Sequence, residues 1–576
     1  MRNKFCIIAY VFVLVSCNTL QKSAWKVAGT NPELVSFLEH YKNSGDNIKY
    51  SAACFLVKNM QDEYYYDSQS GKRVDDVDVI VADSLIRSLE YSFELLKTSP
   101  YLSDISFEDF CKYILPYRVA NEPLTYYWKW DSRKYLQGFQ YSGDIDTDAT
   151  TINRLIHLDM HPENYSSPLK SYGDLIDSGF GTCDDRAILT VMRLRSVGIM
   201  ASFEYVPFWG SSNNGHSFAT VILPDGSIAP LPNTDEKGKE FSFERKTPKV
   251  FRKIYDGDGN LDVTSLHDIG FRDIKTDSDA TNLCVFSPEG WRTVARGDSG
   301  KFRNIGTGTD RQGRQADEAA YLGNGIVYLP MKIEKGIQTP CSEPIIVSHD
   351  QTVRITPDVS QTESVTLTRK FPLNKRIVQF AKNMRLGTFE GANRTDFYDA
   401  ESLYTIKDIP ESNVQTVCLD SSRPYRYIRY RRPMGTFSIA EFALQDKDGR
   451  QMDFKPVCDE SIAENDMMKI FDNDPLTYFE VNGAMDLWIG ADLGSPQPIG
   501  AISFAPRNDD NSICPGHVYE LMYWDGTWKT IGRQVSSGSS VSFDNVPSGA
   551  LLWLRDLSKG KEERPFTYSE GIQVWW

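Results

Sequence analysis

Gly181-Thr182-Cys183-Asp184-Asp185-Arg186-Ala187 sets a cysteine between a glycine-bearing turn and a helical run. Ala187, Ile188, Val191, Met192, Leu194 and Val197 recur at helical spacing, and Gly198 ends the run. Cys183 therefore falls in the first helical turn, where unpaired N–H groups and the positive end of the helix dipole favour a thiolate. Asp184 and Asp185 oppose a second negative charge there, so a thiolate needs an imidazolium partner. Gly215-His216-Ser217-Phe218 offers one, after a loop rich in Gly, Ser and Asn and at the start of a β-rich run that ends at Pro224-Asp225-Gly226-Ser227. A hairpin pivoting on Asp225-Gly226 carries the returning strand back to Asn233 and Asp235, either of which would hold the imidazole by its second nitrogen.

These residues resemble the transglutaminase-like family, whose pattern is Gly-x-Cys-x-x-x-Ala on a helix, a short Gly-Ile-Pro-Ala-Arg strand entry, a His-Ala-Trp strand and an Asp-Pro strand. The matches are Gly181-Thr182-Cys183 with Ala187, Gly198-Ile199-Met200-Ala201-Ser202, and His216-Ser217-Phe218. The resemblance covers residues 146–260 and implies a papain-like α+β core with Cys183 as nucleophile and His216 as base. The Asp-Pro strand is replaced by Pro232-Asn233-Thr234-Asp235. Asn233 is aligned to the orienting position, Asp235 is the fallback, and Asp225 reads as a turn residue.

At the N-terminus, Arg2 and Lys4 precede an apolar segment, Ile7 to Leu14, too short to span a bilayer. It ends in Leu14-Val15-Ser16-Cys17, which resembles the bacterial lipobox and implies cleavage before Cys17 and lipid attachment to its sulfur. No later stretch reaches ~18 continuous apolar residues. The expectation is a lipid-anchored protein of the bacterial cell envelope, on its periplasmic face or at the cell surface. Eight cysteines follow Cys17 without tight spacing, so neither a disulfide framework nor a zinc motif is indicated. A net charge of −15 over 576 residues argues against a nucleic-acid partner. His157 and His161 have zinc-like spacing but lack a third ligand, and Gly306-Thr307-Gly308-Thr309 lacks the Lys of a phosphate loop.

The length implies several domains. The fold class expected is multidomain α+β: a signal peptide (1–16), a tether and helical N-terminal region (17–145), the transglutaminase-like core (146–260), a β-sandwich (261–345), a β domain related to the last one (346–440) and a terminal jelly roll (441–576). Val77, Ile80, Val81, Leu85, Ile86 and Leu89 predict one long helical face. Asp472-Asn473-Asp474-Pro475-Leu476-Thr477 and Trp488-Ile489-Gly490-Ala491-Asp492-Leu493-Gly494 resemble the discoidin, or coagulation-factor type C, module, a galactose-binding-like jelly roll. Tyr425 to Tyr430 resembles a strand of such a unit upstream. Modules of this kind imply a carbohydrate or protein partner, with Trp524, Trp528, Trp575 and Trp576 available for stacking. Asp472 and Asp474 are placed to hold a structural calcium ion; no other cofactor is expected.

Two readings of function follow. One is an envelope-anchored cysteine-dependent amide hydrolase acting on peptide, protein or glycopeptide, in which Cys183 attacks a carbonyl to give a thioester that water resolves. The other is a non-catalytic glycan- or protein-binding lipoprotein that retains the fold.

Overall fold

The computed structural model describes residues 19–160, 168–233, 245–256, 259–267, 269, 271–273, 279–287, 289–298, 301–303, 321–348, 351–420, 423–560 and 562–576. Cys17 and Asp235 lie outside the described residues. The chain divides into two compact units, Met1–Arg354 and Ile355–Trp576. It combines helices with many antiparallel sheets, 24 % helix and 36 % strand, an α+β composition. No described helix is long and apolar enough to cross a membrane.

The first unit opens with helices α1 (Pro32–Ser44), α2 (Asn47–Asn59), α3 (Ala82–Thr98) and α4 (Phe107–Tyr113). Asn31 caps α1 by accepting from the N–H groups of Glu33 and Leu34, and Asp46 caps α2 in the same way. Their inward faces, including Phe37, Leu38, Leu56, Leu89 and Phe110, share one core. The face expected to run unbroken from Val77 is interrupted, because Ile80 and Val81 are extended and α3 begins at Ala82. Helices α5 (Trp128–Tyr135), α6 (Ile145–Arg154) and α7 (Cys183–Arg195) follow.

Helix α7 packs on an antiparallel sheet of β1 (Ala201–Val206), β2 (His216–Ile222), β3 (Ile228–Pro230), β4 (Phe251–Lys253) and β5 (Asn260–Asp262), in the order β3-β2-β1-β4-β5. Alternation along β2 sorts its side chains. Ala219 and Val221 join Ile188, Val191 and Leu194 of α7 in one core. Phe218 faces the other way, into a cluster with Val206, Trp209, Val250 and Val263. Beneath that second face Glu204 is buried against Arg252 (2.6 Å) and His267 (2.8 Å) and accepts from Thr220 (2.8 Å). Arg252 and His267 hold the Glu204 carboxylate down to about 2 although burial opposes its ionisation. A seven-stranded sheet built on Asn282–Ser287, Gly290–Asp298 and Ile326–Glu334 completes the unit. Its last strand, Thr352–Arg354, carries it past the boundary expected at 345.

In the second unit, β6 (Thr388–Ala392), β7 (Glu401–Thr405), β9 (Pro424–Ile439), β11 (Lys455–Cys458) and β12 (Phe479–Pro498) form a five-stranded sheet. It packs on a three-stranded sheet of β8 (Gln415–Cys418), β10 (Glu441–Gln445) and β13 (Ala501–Ala505). Tyr427 pairs with Asp492 and Tyr430 with Ile489, so the strand expected to close an upstream module lies beside the Asp-Leu-Gly strand in one sheet. The boundary expected at 440/441 therefore cuts a single sandwich. A second sandwich joins Val518–Trp524 and its neighbours to strand Asp358–Leu367, which pairs with Val541–Ser548. The first sandwich is thus nested within the chain of the second. Helices Lys375–Lys382 and Glu464–Met468 interrupt a region expected to be almost purely β.

Candidate functional site around Cys183

Thr182 caps α7. Its hydroxyl accepts from the Asp185 N–H (3.3 Å) while the Asp185 carboxylate accepts from the Thr182 N–H (2.9 Å), a reciprocal capping box. Cys183 thereby becomes the first residue of the helix, as its sequence predicts. Gly181 is required by the close approach of this cap: a Cβ there would lie 2.8 Å from the Asp185 Cβ. The thiol is 9 % exposed. Its nearest polar side chain is Asp184, with Sγ 3.7 Å from Oδ1.

Burial, and then the adjacent Asp184 carboxylate, push the Cys183 thiol up to about 12, and the Ser217 N–H only partly offsets this. Burial also raises Asp184, against a hydrogen bond from Ser217. The helix dipole favours a thiolate by an amount typical of one terminus, about 0.3–1 kcal/mol, which does not overcome this desolvation.

His216 makes no hydrogen bond to the thiol among the described residues. It occupies the same face of β2 as Phe218 and lies between two aromatic rings, Trp209 (centroids 6.0 Å, planes 23° apart) and Phe218 (6.2 Å, 29°). Burial, and then the Arg245 guanidinium, push its imidazole down to about 4. Arg245 is held at this edge by Ser212 (2.8 Å) and Asn214 (2.7 Å). Gly215 lets the chain enter β2 here, since a Cβ on it would sit 2.5 Å from the Val206 carbonyl oxygen.

Asn233 does return to the helix terminus. The β2–β3 hairpin turns at Gly226, pairs Ile222 with Ile228, and carries the chain to Asn233, which is buried. Its amide Nδ2 donates to the carbonyl oxygens of Ser217 and of Cys183 (3.4 Å). Among the sequence-predicted residues, then, Asn233 meets the Cys183 backbone, and His216 makes no hydrogen bond to the thiol. Asp184, expected to oppose a thiolate, adjoins the thiol, and so does Ser217, which the sequence reading did not single out. The signal for Ser217 was parity: it alternates with Ala219 and Val221, while His216 alternates with Phe218 and Ile222.

Elsewhere, Asp472 and Asp474 occupy a loop in which Asp472 accepts from Thr477 Oγ1 (2.9 Å) and from the Asp474 N–H (2.9 Å). Lys559 pairs with Asp474 (3.4 Å) and Asp510 (2.7 Å). Burial, and then Asp472 and Asp474, push the neighbouring Glu441 carboxyl up to about 8. Among the described residues no three His, Cys, Asp or Glu side chains converge as metal ligands.

No family model matches the chain, and no curated protein matches it. Among solved structures, the transglutaminase of red sea bream is similar at 10 % identity and a TM-score of 0.14, with 89 % of this chain and 76 % of that chain covered. A TM-score of that size establishes no common fold.

Proposed function

We propose that the chain is a non-catalytic binding lipoprotein of the bacterial envelope, tethered through Cys17 and taking a glycan or protein ligand, whose transglutaminase-like core keeps the cysteine without turnover. The observation that carries this reading is that His216 stacks between Trp209 and Phe218 and makes no hydrogen bond to the Cys183 thiol among the described residues. A cysteine nucleophile needs a base within hydrogen-bond reach and a thiolate accessible at working pH. Here the imidazole stacks between two aromatic rings, and the two shifts run against an ion pair, the thiol upward and the imidazole downward. The hydrolase reading is favoured by one feature, the position of Cys183 at the first residue of a capped helix, where its own N–H would serve an oxyanion.

Iodoacetamide alkylation of Cys183 against pH, in wild type and His216→Ala, tests the proposal. Slow reaction at neutral pH, unchanged by the substitution, is the expected result. A thiol that titrates well below the free-cysteine value of roughly 8.5 and loses this property without His216 overturns it.

A further inference from the structure

A groove runs along the outer faces of α3 and α5, remote in sequence from the Cys183 loop. It comprises two cavities, about 560 Å³ and about 430 Å³, that share the Trp130 side chain. Arg133 of the second cavity lies over the Tyr91 ring of the first at 6.0 Å, so the two form one elongated surface. The local sequence explains the geometry. Arg87, Tyr91, Glu94 and the neighbouring Lys97 line one side of α3, whose Leu85, Leu89 and Leu95 are buried; Trp130, Arg133 and Lys134 share a face of α5 at spacings of three and four.

The lining is aromatic and mainly cationic in a chain of net charge −15. Five cationic side chains stand against two carboxylates. Arg87, Lys97 and Lys134 are exposed and make no ion pair among the described residues. Glu90 is occupied by Lys49 (2.6 Å) and the Tyr41 hydroxyl (3.1 Å), which leaves Glu94 as an open acceptor. A ligand matched to this surface carries spaced anions for the cations, flat apolar faces for Trp130 and Tyr141, and hydroxyl donors for the carboxylate.

We infer that this groove binds a carboxylate-bearing polysaccharide, with sugar rings on Trp130 and uronic carboxylates on Arg87, Lys97 and Lys134. A DNA strand carries no hydroxyl along its chain from which Glu94 could accept. An extended acidic peptide would meet the same cations but offers no flat sugar face to Trp130. The inference deepens the binding-protein reading by supplying a ligand class and a site. It rests on that reading for its biological sense, yet its test does not involve Cys183, so alkylation and ligand binding fail independently.

The test is titration calorimetry of the full chain with polygalacturonate, against uncharged galactan, polyglutamate and a single-stranded oligonucleotide. The expected result is binding to polygalacturonate above all three, weakened about ten-fold or more in Trp130→Ala and in Lys134→Glu, where ten-fold is about 1.4 kcal/mol. Should Trp130→Ala fold poorly, the exposed-site variants Lys97→Glu and Lys134→Glu decide the matter. No binding to polygalacturonate, equal binding to polyglutamate or the oligonucleotide, or wild-type affinity in the charge-reversed variants overturns the inference.

Discussion

The imidazole of His216 lies over the ring of Phe218, two residues further along the same strand, with centroids 6.2 Å apart and planes 29° from parallel. That relation fixes which face of the strand the histidine occupies and leaves the ring half-buried between aromatic neighbours.

The His216 imidazole should titrate near 4 by NMR, below its ordinary value of about 6.5. The unfolded chain then binds the extra proton between those values, so stability falls as pH is lowered from about 6.5 toward 4. His216→Phe should flatten this part of a melting-temperature profile. A wild-type imidazole that titrates above 6 would contradict the burial described.

Cys183→Ser should leave ligand binding unchanged and lower the melting temperature by no more than a few degrees. The thiol is one small buried group whose polar contact is the 3.7 Å approach to Asp184. Calorimetry of the variant with the ligand that binds wild type gives the comparison. A collapse of binding would place the thiol in the ligand site.

Glu204→Gln should destabilise the first unit by about 3–5 kcal/mol, because it leaves the buried Arg252 guanidinium without its carboxylate and alters the hydrogen bond to His267. Urea denaturation read by tryptophan fluorescence measures this. Wild-type stability attributable to Glu204 should also be lost as pH falls from about 4.5 toward 2, since its folded value lies below its unfolded one.

Glu441→Gln should raise the melting temperature at pH 8 and change it little at pH 4.5. The carboxyl stays protonated up to about 8 in the fold, whereas the unfolded chain ionises near 4.5, so wild type loses stability as pH rises between those values. Differential scanning calorimetry at both pH values checks the sign. A calcium-dependent rise in wild type that the variant lacks would instead mark this corner as a cation site.

Much of the local structure was legible. The helix after Cys183, its start at the cysteine, the turn at Gly226 and the return of Asn233 all follow from period, caps and turn residues. The facing of His216 was legible in principle from the alternation of Ser217, Ala219 and Val221 with Phe218 and Ile222. It was obscured because a histidine beside a cysteine helix reads as chemistry before it reads as packing. The division of the second unit was not legible, because pairing between Pro424–Ile439 and Phe479–Pro498 is a long-range choice that short turn signals do not encode. The discontinuity at Ile80 was hidden by apolar residues that fit helical and extended backbone equally well.

The nesting of one sandwich inside the other has a consequence for synthesis on the ribosome. Ser364 hydrogen-bonds Asp544, 180 residues later, so the strand that begins the outer sandwich emerges long before its partner exists. The inner sandwich, complete once residue 505 has emerged, can fold first and shorten the distance that the outer strand must bridge. A chain released at residue 440 would expose Asp358–Leu367 and Pro424–Ile439 as open edges, each a template for intermolecular pairing. Fragments of this protein should therefore be cut at 354, where both sandwiches stay whole.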